Sequence, residues 1–117
     1  MVATPIGCLE DITLRAIRIL READLILAED TRHSRALCSK HEIATPLRSF
    51  HAHSKDEKVE LIVQQLARGA HYALVSDAGT PVVSDPGVFL VSRAAEAGVE
   101  VEAIPGPSAV LAALSVA

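Results

Sequence analysis

The stretch Leu74–Gly87, LVSDAGTPVVSDPG, decides the fold. It begins inside an apolar run, YALVS at residues 72–76, and passes at once into a loop of small, polar and turn-forming residues. Asp85 then reads as a helix N-cap, with Pro86 at the first helical position where a missing N–H does least harm. Leu90, Val91, Ala94 and Ala97 follow at helical spacing as an inward face, and Gly98 stops the helix. A continuous apolar strand feeding a capped helix is one unit of an α/β fold with a parallel sheet.

The same alternation extends both ways. Upstream, MVATPIG is a short strand that breaks at Thr4-Pro5. Asp11 reads as the N-cap of a helix carrying Thr13, Ala16, Ile17, Leu20 and Ala23. LILAEDT (25–31) is a buried strand ending in acids, and RHSRALCSKHEI (32–43) a short helix. PLRSFH (46–51) is a strand opened by Pro46. Ser54 and Glu57 form a capping box ahead of Val59, Ile62, Val63 and Leu66, and Gly69 closes that helix. Downstream, VEVEAI (99–104) alternates like a strand with one wetter face. The turn PGPS and an apolar helix, AVLAALSVA, come last. Five β-α units with right-handed crossovers predict an α/β fold: a five-stranded, mainly parallel sheet with helices on both faces.

Composition agrees. The 117 residues are enough for one core. Hydrophobic residues make up 50% but aromatics only 3%, so aliphatic side chains must build the interior. A net charge of −4 excludes nucleic-acid binding by bulk charge, though not by a local basic patch. Cys8 and Cys38 form no CxxC pair and read as reduced thiols of a cytoplasmic protein. No signal peptide or membrane-length apolar run occurs. The final helix is apolar on several faces and lacks a stop signal, which leads us to expect an N-terminal portion of a longer protein, or a domain that buries this end in a dimer.

Ligands of open parallel sheets bind beyond the carboxyl ends of the strands. Four loops fall there: TPIG (4–7), EDTRHSR (29–35), SDAGTPVVSDPG (76–87) and PGPSA (105–109). In the third, Gly79 admits close backbone approach, Ala78 keeps the wall small, and Thr80 offers a hydroxyl, which suits an adenosine-sized ligand. Asp77 either bonds a hydroxyl or positive group of a ligand or forms an Asx turn. DAGTP is similar to the DxGT phosphate loop of the actin-like ATPases, but that motif sits in a first hairpin, not after a fourth strand. A metal on Asp77 and Asp85 lacks a third ligand nearby, and His51 and His53 have no further partners; no metal is expected. In EDTRHSR, Arg32, His33 and Arg35 open a helix whose N–H groups already favour an anion, so they are candidates for gripping a phosphate backbone. The alternative is that Glu29 or Asp30 pairs with these arginines on a solvated face.

ATPIGCLEDITLRAIRIL, AEDTRHSR, SDAGTPVVSDPG and PGPSAVLAAL, taken in order, resemble the N-terminal domain of the RsmI-type ribosomal RNA methyltransferases of the tetrapyrrole (corrin/porphyrin) methylase superfamily. The resemblance implies an S-adenosylmethionine-dependent homodimer of two α/β domains that 2′-O-methylates a cytidine in 16S ribosomal RNA of the small ribosomal subunit. It places the cofactor against Pro5, against Ala78, Gly79 and Thr80 with Val83 beyond, and against Ser108 and Ala109. Cys8 stands where the family usually has asparagine, and Val82 where it has glycine. A second domain would complete the cleft, so residues 1–117 alone are expected not to transfer a methyl group. Glu29, Asp30 and His33 are candidate bases for the ribose hydroxyl. Gly79→Val is expected to block the cofactor with the fold unchanged. A porphyrin or corrin methylase, or a non-catalytic binding or dimerisation module, are the competing readings.

Overall fold

The computed structural model describes residues 1–50, 56–81 and 87–117. Its elements in order are α1 (Leu14–Glu22), β1 (Leu25–Ala28), α2 (Thr31–Lys40), β2 (Leu47–Ser49), α3 (Asp56–Ala67), β3 (Tyr72–Val75), α4 (Gly87–Glu96) and α5 (Ala109–Ser115). The three strands form one parallel sheet in the order β2-β1-β3. Every residue of β1 is buried, as a strand covered on both faces requires. Alternate side chains then serve two cores. Ile26, Ala28, Ala73 and Val75 pack with Ala16 and Leu20 of α1 and Cys38 of α2. Leu25, Leu27 and Leu74 pack with Phe50, with Val59, Ile62 and Val63 of α3, and with Leu90 of α4. Helices therefore cover both faces, as expected.

Among the described residues, three of the expected five strands form. Of the two remaining segments, residues 1–3 lie beside β3, and Ile104 lies beside residues 1–3, neither with a continuous ladder. Val2 N–H donates to Leu74 O at 2.9 Å, and Ala3 N–H to Ile104 O at 3.2 Å. The pairs Val2–Ile104 and Thr4–Gly79 are single bridges, parallel and antiparallel respectively. Pro5 and Pro105 supply no N–H and limit how far pairing can run. Of the VEVEAI stretch only Ile104 is buried; Val101 is 41% exposed. Alternation marked the stretch as a strand, but a strand needs a partner of equal length.

Two other expectations change. The N-cap of α1 is Thr13, whose hydroxyl accepts from Ala16 N–H at 3.0 Å. Asp11 is instead in a turn, its N–H donating to Cys8 O at 2.9 Å. Ala97 is exposed beyond α4, while Gly98, at φ +76°, takes the left-handed turn that ends the helix. The capping box at Ser54, and Asp85 with Pro86, lie outside the described residues. Cys8 is exposed and Cys38 buried, both free; burial pushes the Cys38 thiol pKa up and keeps it inert.

The α1 cap yields a direct comparison. Thr13→Ala should lower the free energy of unfolding by about 1 kcal/mol, whereas Asp11→Ala should change it by less than about 0.5 kcal/mol. Urea denaturation of the two variants checks this, and the reverse order would return the cap to Asp11.

Candidate functional site

In-register pairing of β1 and β3 sets Ala28 beside Val75. Two residues further along each chain, Asp30 and Asp77 must then also be neighbours. Asp77 Oδ1 accepts from Asp30 N–H at 3.0 Å. Asp77 thus ties together the loops that leave the two strands, a role outside both readings of it from sequence.

Asp30 is equally committed. Its carboxylate caps α2, accepting from Arg32 N–H at 2.9 Å. It also accepts Arg32 Nε at 3.1 Å and Nη2 at 2.8 Å, a two-pronged pair. These Arg32 bonds hold the Asp30 carboxyl pKa down to about 2. Such a carboxylate has little affinity for a proton at neutral pH, which argues against Asp30 as a base. Arg32 itself is 84% exposed with its charge countered by Asp30. The solvated ion pair weighed for this segment is therefore present. Glu29 and Arg35 are exposed.

A cleft of about 310 Å³ opens between two loops and α2. Thr4, Pro5, Ile6, Gly7 and Leu9 form one wall, His33, Ser34 and Leu37 of α2 another, and Ser76, Asp77 and Ala78 the floor. This volume lies at the lower end of ligand sites, ~300–1,000 Å³. Of the candidates, Pro5, His33, Asp77 and Ala78 share this cleft. His33 is the one candidate base that lines it. The Ser76 hydroxyl bends the floor by donating to Ala78 O at 3.0 Å.

Gly79 has a packing role that its sequence reading did not include. Its N–H and C=O are both used by Thr4, at 3.0 and 2.9 Å. A side chain there would meet Ile6 Cγ2 at 3.4 Å and Pro107 O at 3.6 Å, on a backbone at φ +77°. Gly79 is needed to pack two loops together, so Gly79→Val perturbs the loops rather than blocking a ligand selectively. Thr80 is exposed, outside the residues that line the cleft. Ser108 caps α5, accepting from Leu111 N–H at 3.4 Å, and Ala109 begins that helix. Their loop reaches the cleft region through Pro107 beside Gly79. Val83, Val82, His51 and His53 lie outside the described residues. Among the described residues, no group of three His, Cys, Asp or Glu side chains could hold a metal ion.

Thr4 and Gly106 were missed from sequence. Thr4 is buried and pairs with Gly79. A side chain on Gly106 would lie 2.9 Å from Ala3 Cβ. Only the flanking prolines of PGP hinted at a constrained close approach.

The family described as Tetrapyrrole (Corrin/Porphyrin) Methylases matches residues 1–117. The chain belongs to this family. Among curated tetrapyrrole methylase relatives, a "Ribosomal RNA small subunit methyltransferase I" from Xylella fastidiosa is 53% identical over 99% of this chain and 42% of its own length. The protein of that name from Thermotoga maritima is 50% identical over 99% of this chain and 52% of its own. The chain thus spans about half the length of these relatives, or less. In three dimensions it matches a cobalt precorrin-4 methyltransferase with a TM-score of 0.75 at 22% identity, over 98% of this chain and 48% of that one. Uroporphyrin-III C-methyltransferase of Thermus thermophilus, complexed with S-adenosyl homocysteine, matches with a TM-score of 0.63 at 27% identity, over 96% and 49%.

The electrostatics of this edge can be tested by pH. A depressed carboxylate stabilises the fold above the ordinary carboxylate range near pH 4, and that contribution is lost as pH falls through the folded-state value. An NMR titration should place the Asp30 midpoint at about 2. Arg32→Ala should raise it towards the ordinary range; an unmoved midpoint would remove Arg32 as the cause.

Proposed function

We propose that this protein is an S-adenosylmethionine-dependent methyltransferase of the 2′-hydroxyl of a cytidine in small-subunit ribosomal RNA, with residues 1–117 as its N-terminal α/β domain. The observation that carries the reading is the shared cleft of Pro5, His33, Asp77 and Ala78 at the carboxyl ends of the strands, in a chain about half identical to proteins named for this RNA. The porphyrin and corrin enzymes share the fold at much lower identity, which favours RNA over a tetrapyrrole ring.

The cleft suits the cofactor chemically. Ile6, Leu9, Leu37 and Ala78 offer apolar surface for a base, and Thr4, Ser76 and Asp77 offer polar atoms. Bound there, S-adenosylmethionine supplies a methyl group already activated by its sulfonium charge. The chain's part is alignment and proton removal. Pro5, Asp77 and Ala78 hold the cofactor, with Gly79, Thr80, Ser108 and Ala109 and, outside the described residues, Val83 as further contacts. The His33 imidazole takes the 2′-hydroxyl proton. Arg35 meets an RNA phosphate, and Arg32 does so by exchanging Asp30 for it. The 2′-hydroxyl itself separates RNA from DNA. Among the described residues no helix is long and apolar enough to cross a membrane; a ribosomal substrate places the enzyme in the cytoplasm. Val110, Leu111, Leu114 and Val116 of the α5 region are 66–85% exposed, an apolar surface available to a homodimer.

Ala78 is exposed on the cleft floor and can be enlarged without disturbing the core. Ala78→Leu in the full-length protein should weaken S-adenosylhomocysteine binding by at least about tenfold, or 1.4 kcal/mol, with an unchanged melting temperature. Calorimetry checks it, and parental affinity would place the cofactor elsewhere. For RNA, Arg35→Ala should reduce the slope of log affinity against log salt by about 1, and Arg32→Ala by less, because Asp30 already counters its charge. Equal slopes in both variants and the parent would make these arginines structural.

A further inference from the structure

The cleft has a wall with no secondary structure of its own. Residues 5–10 run without helix or strand. Their near end is fixed by the mutual hydrogen bonds of Thr4 and Gly79. Their far end closes through Asp11 N–H to Cys8 O at 2.9 Å. That turn is local and does not tie the loop to the rest of the domain.

His41 supplies the tie. Its Nε2 lies 2.7 Å from Leu9 O. A carbonyl oxygen only accepts, so Nε2 carries the hydrogen and donates it, whichever charge state the ring has. The ring's own backbone is held on both sides. His41 N–H donates to Leu37 O at 3.2 Å, and Arg21 Nη2 donates to His41 O at 2.6 Å. His41 is therefore anchored at the end of α2 and across to α1, and from there it grips the loop. Leu9 lines one wall of the cleft and Leu37, one turn before His41, lines the other. That bond spans the two walls at this apolar end.

We infer that His41 is a positioning residue that sets the width of the cleft by tying the Ile6–Leu9 loop to α2. The inference rests on the reading of this cleft as the cofactor site. His41 lies outside the residues that line the cleft, and it acts through Leu9. Its effect is preorganisation: a loop already in place spares the ligand the cost of ordering it.

Two variants of the full-length protein test it. His41→Ala removes the donor, and His41→Gln places an amide N–H close to where Nε2–H stood. S-adenosylhomocysteine should bind His41→Ala about tenfold more weakly than the parent and His41→Gln within about twofold. In the ligand-free protein, the Asp11 amide should exchange faster in His41→Ala and recover in His41→Gln. The amides of Ile26 and Leu74, in the core strands, should stay protected in both. Unchanged affinity and unchanged Asp11 exchange in His41→Ala overturn the inference, as does failure of glutamine to rescue or a general loss of core protection. If the parent itself binds no S-adenosylhomocysteine, the cofactor reading fails, and Asp11 exchange alone then decides whether His41 holds the loop.

Discussion

The parallel pairing of Leu25–Ala28 with strands on both sides is the constraint on which the rest of the molecule depends. Four consecutive buried residues leave β1 no solvent face, so it must be the centre of a sheet with helices above and below. Its register is reinforced at both ends by a carboxylate. At the start, Asp24 N–H donates to His71 O at 2.8 Å and Asp24 Oδ2 accepts from His71 N–H at 2.9 Å. At the finish, Asp77 accepts from Asp30 N–H. A slip of one residue would break both clamps and swap the two cores, since side chains alternate between faces.

Everything at the candidate site follows from that register. The ends of β1 and β3 fix where Asp30 and Asp77 stand, and Asp30 fixes the start of α2. The helix then presents His33 and Ser34 to the cleft, with Leu37 one turn further on the same face. Charge is mostly neutralised within this edge: Asp30 is spent on Arg32 and on the helix cap. His33 is left as a cleft-lining group without such a commitment among the bonds described, and Arg35 as a cation open to solvent. The architecture thus separates residues that build the edge from residues free to meet a ligand.

Relatives of this fold act on very different molecules, to judge from the names of the porphyrin, corrin and ribosomal RNA enzymes it matches. A sheet between two aliphatic cores tolerates extensive substitution if volume and pattern are kept. Ligands of open parallel sheets meet the loops at the carboxyl edge, so one scaffold can carry different functions. In this chain the first loop depends on contacts remote in sequence: Gly79 from one side and His41 from the other.

The sequence by itself determined the three central strands, the helices on both faces and the four loops at one edge, because apolar periodicity and turn chemistry are local signals. LILA and YALV could be nothing but buried strands once flanked by capped helices. Tertiary structure alone decided which of the remaining segments completed a ladder. MVA and VEVEAI have strand-like patterns, but pairing needs a partner of matching length, and the prolines at 5 and 105 stop both. It also decided which candidates meet. Pro5, His33, Asp77 and Ala78 converge on one cleft, whereas Gly79 is consumed by Thr4 and Asp30 by Arg32. Those outcomes rest on hydrogen bonds between residues dozens of positions apart, and a local pattern carries no information about a distant partner. His41 was illegible for the same reason: nothing near it in the chain reveals that its ring reaches the carbonyl of Leu9.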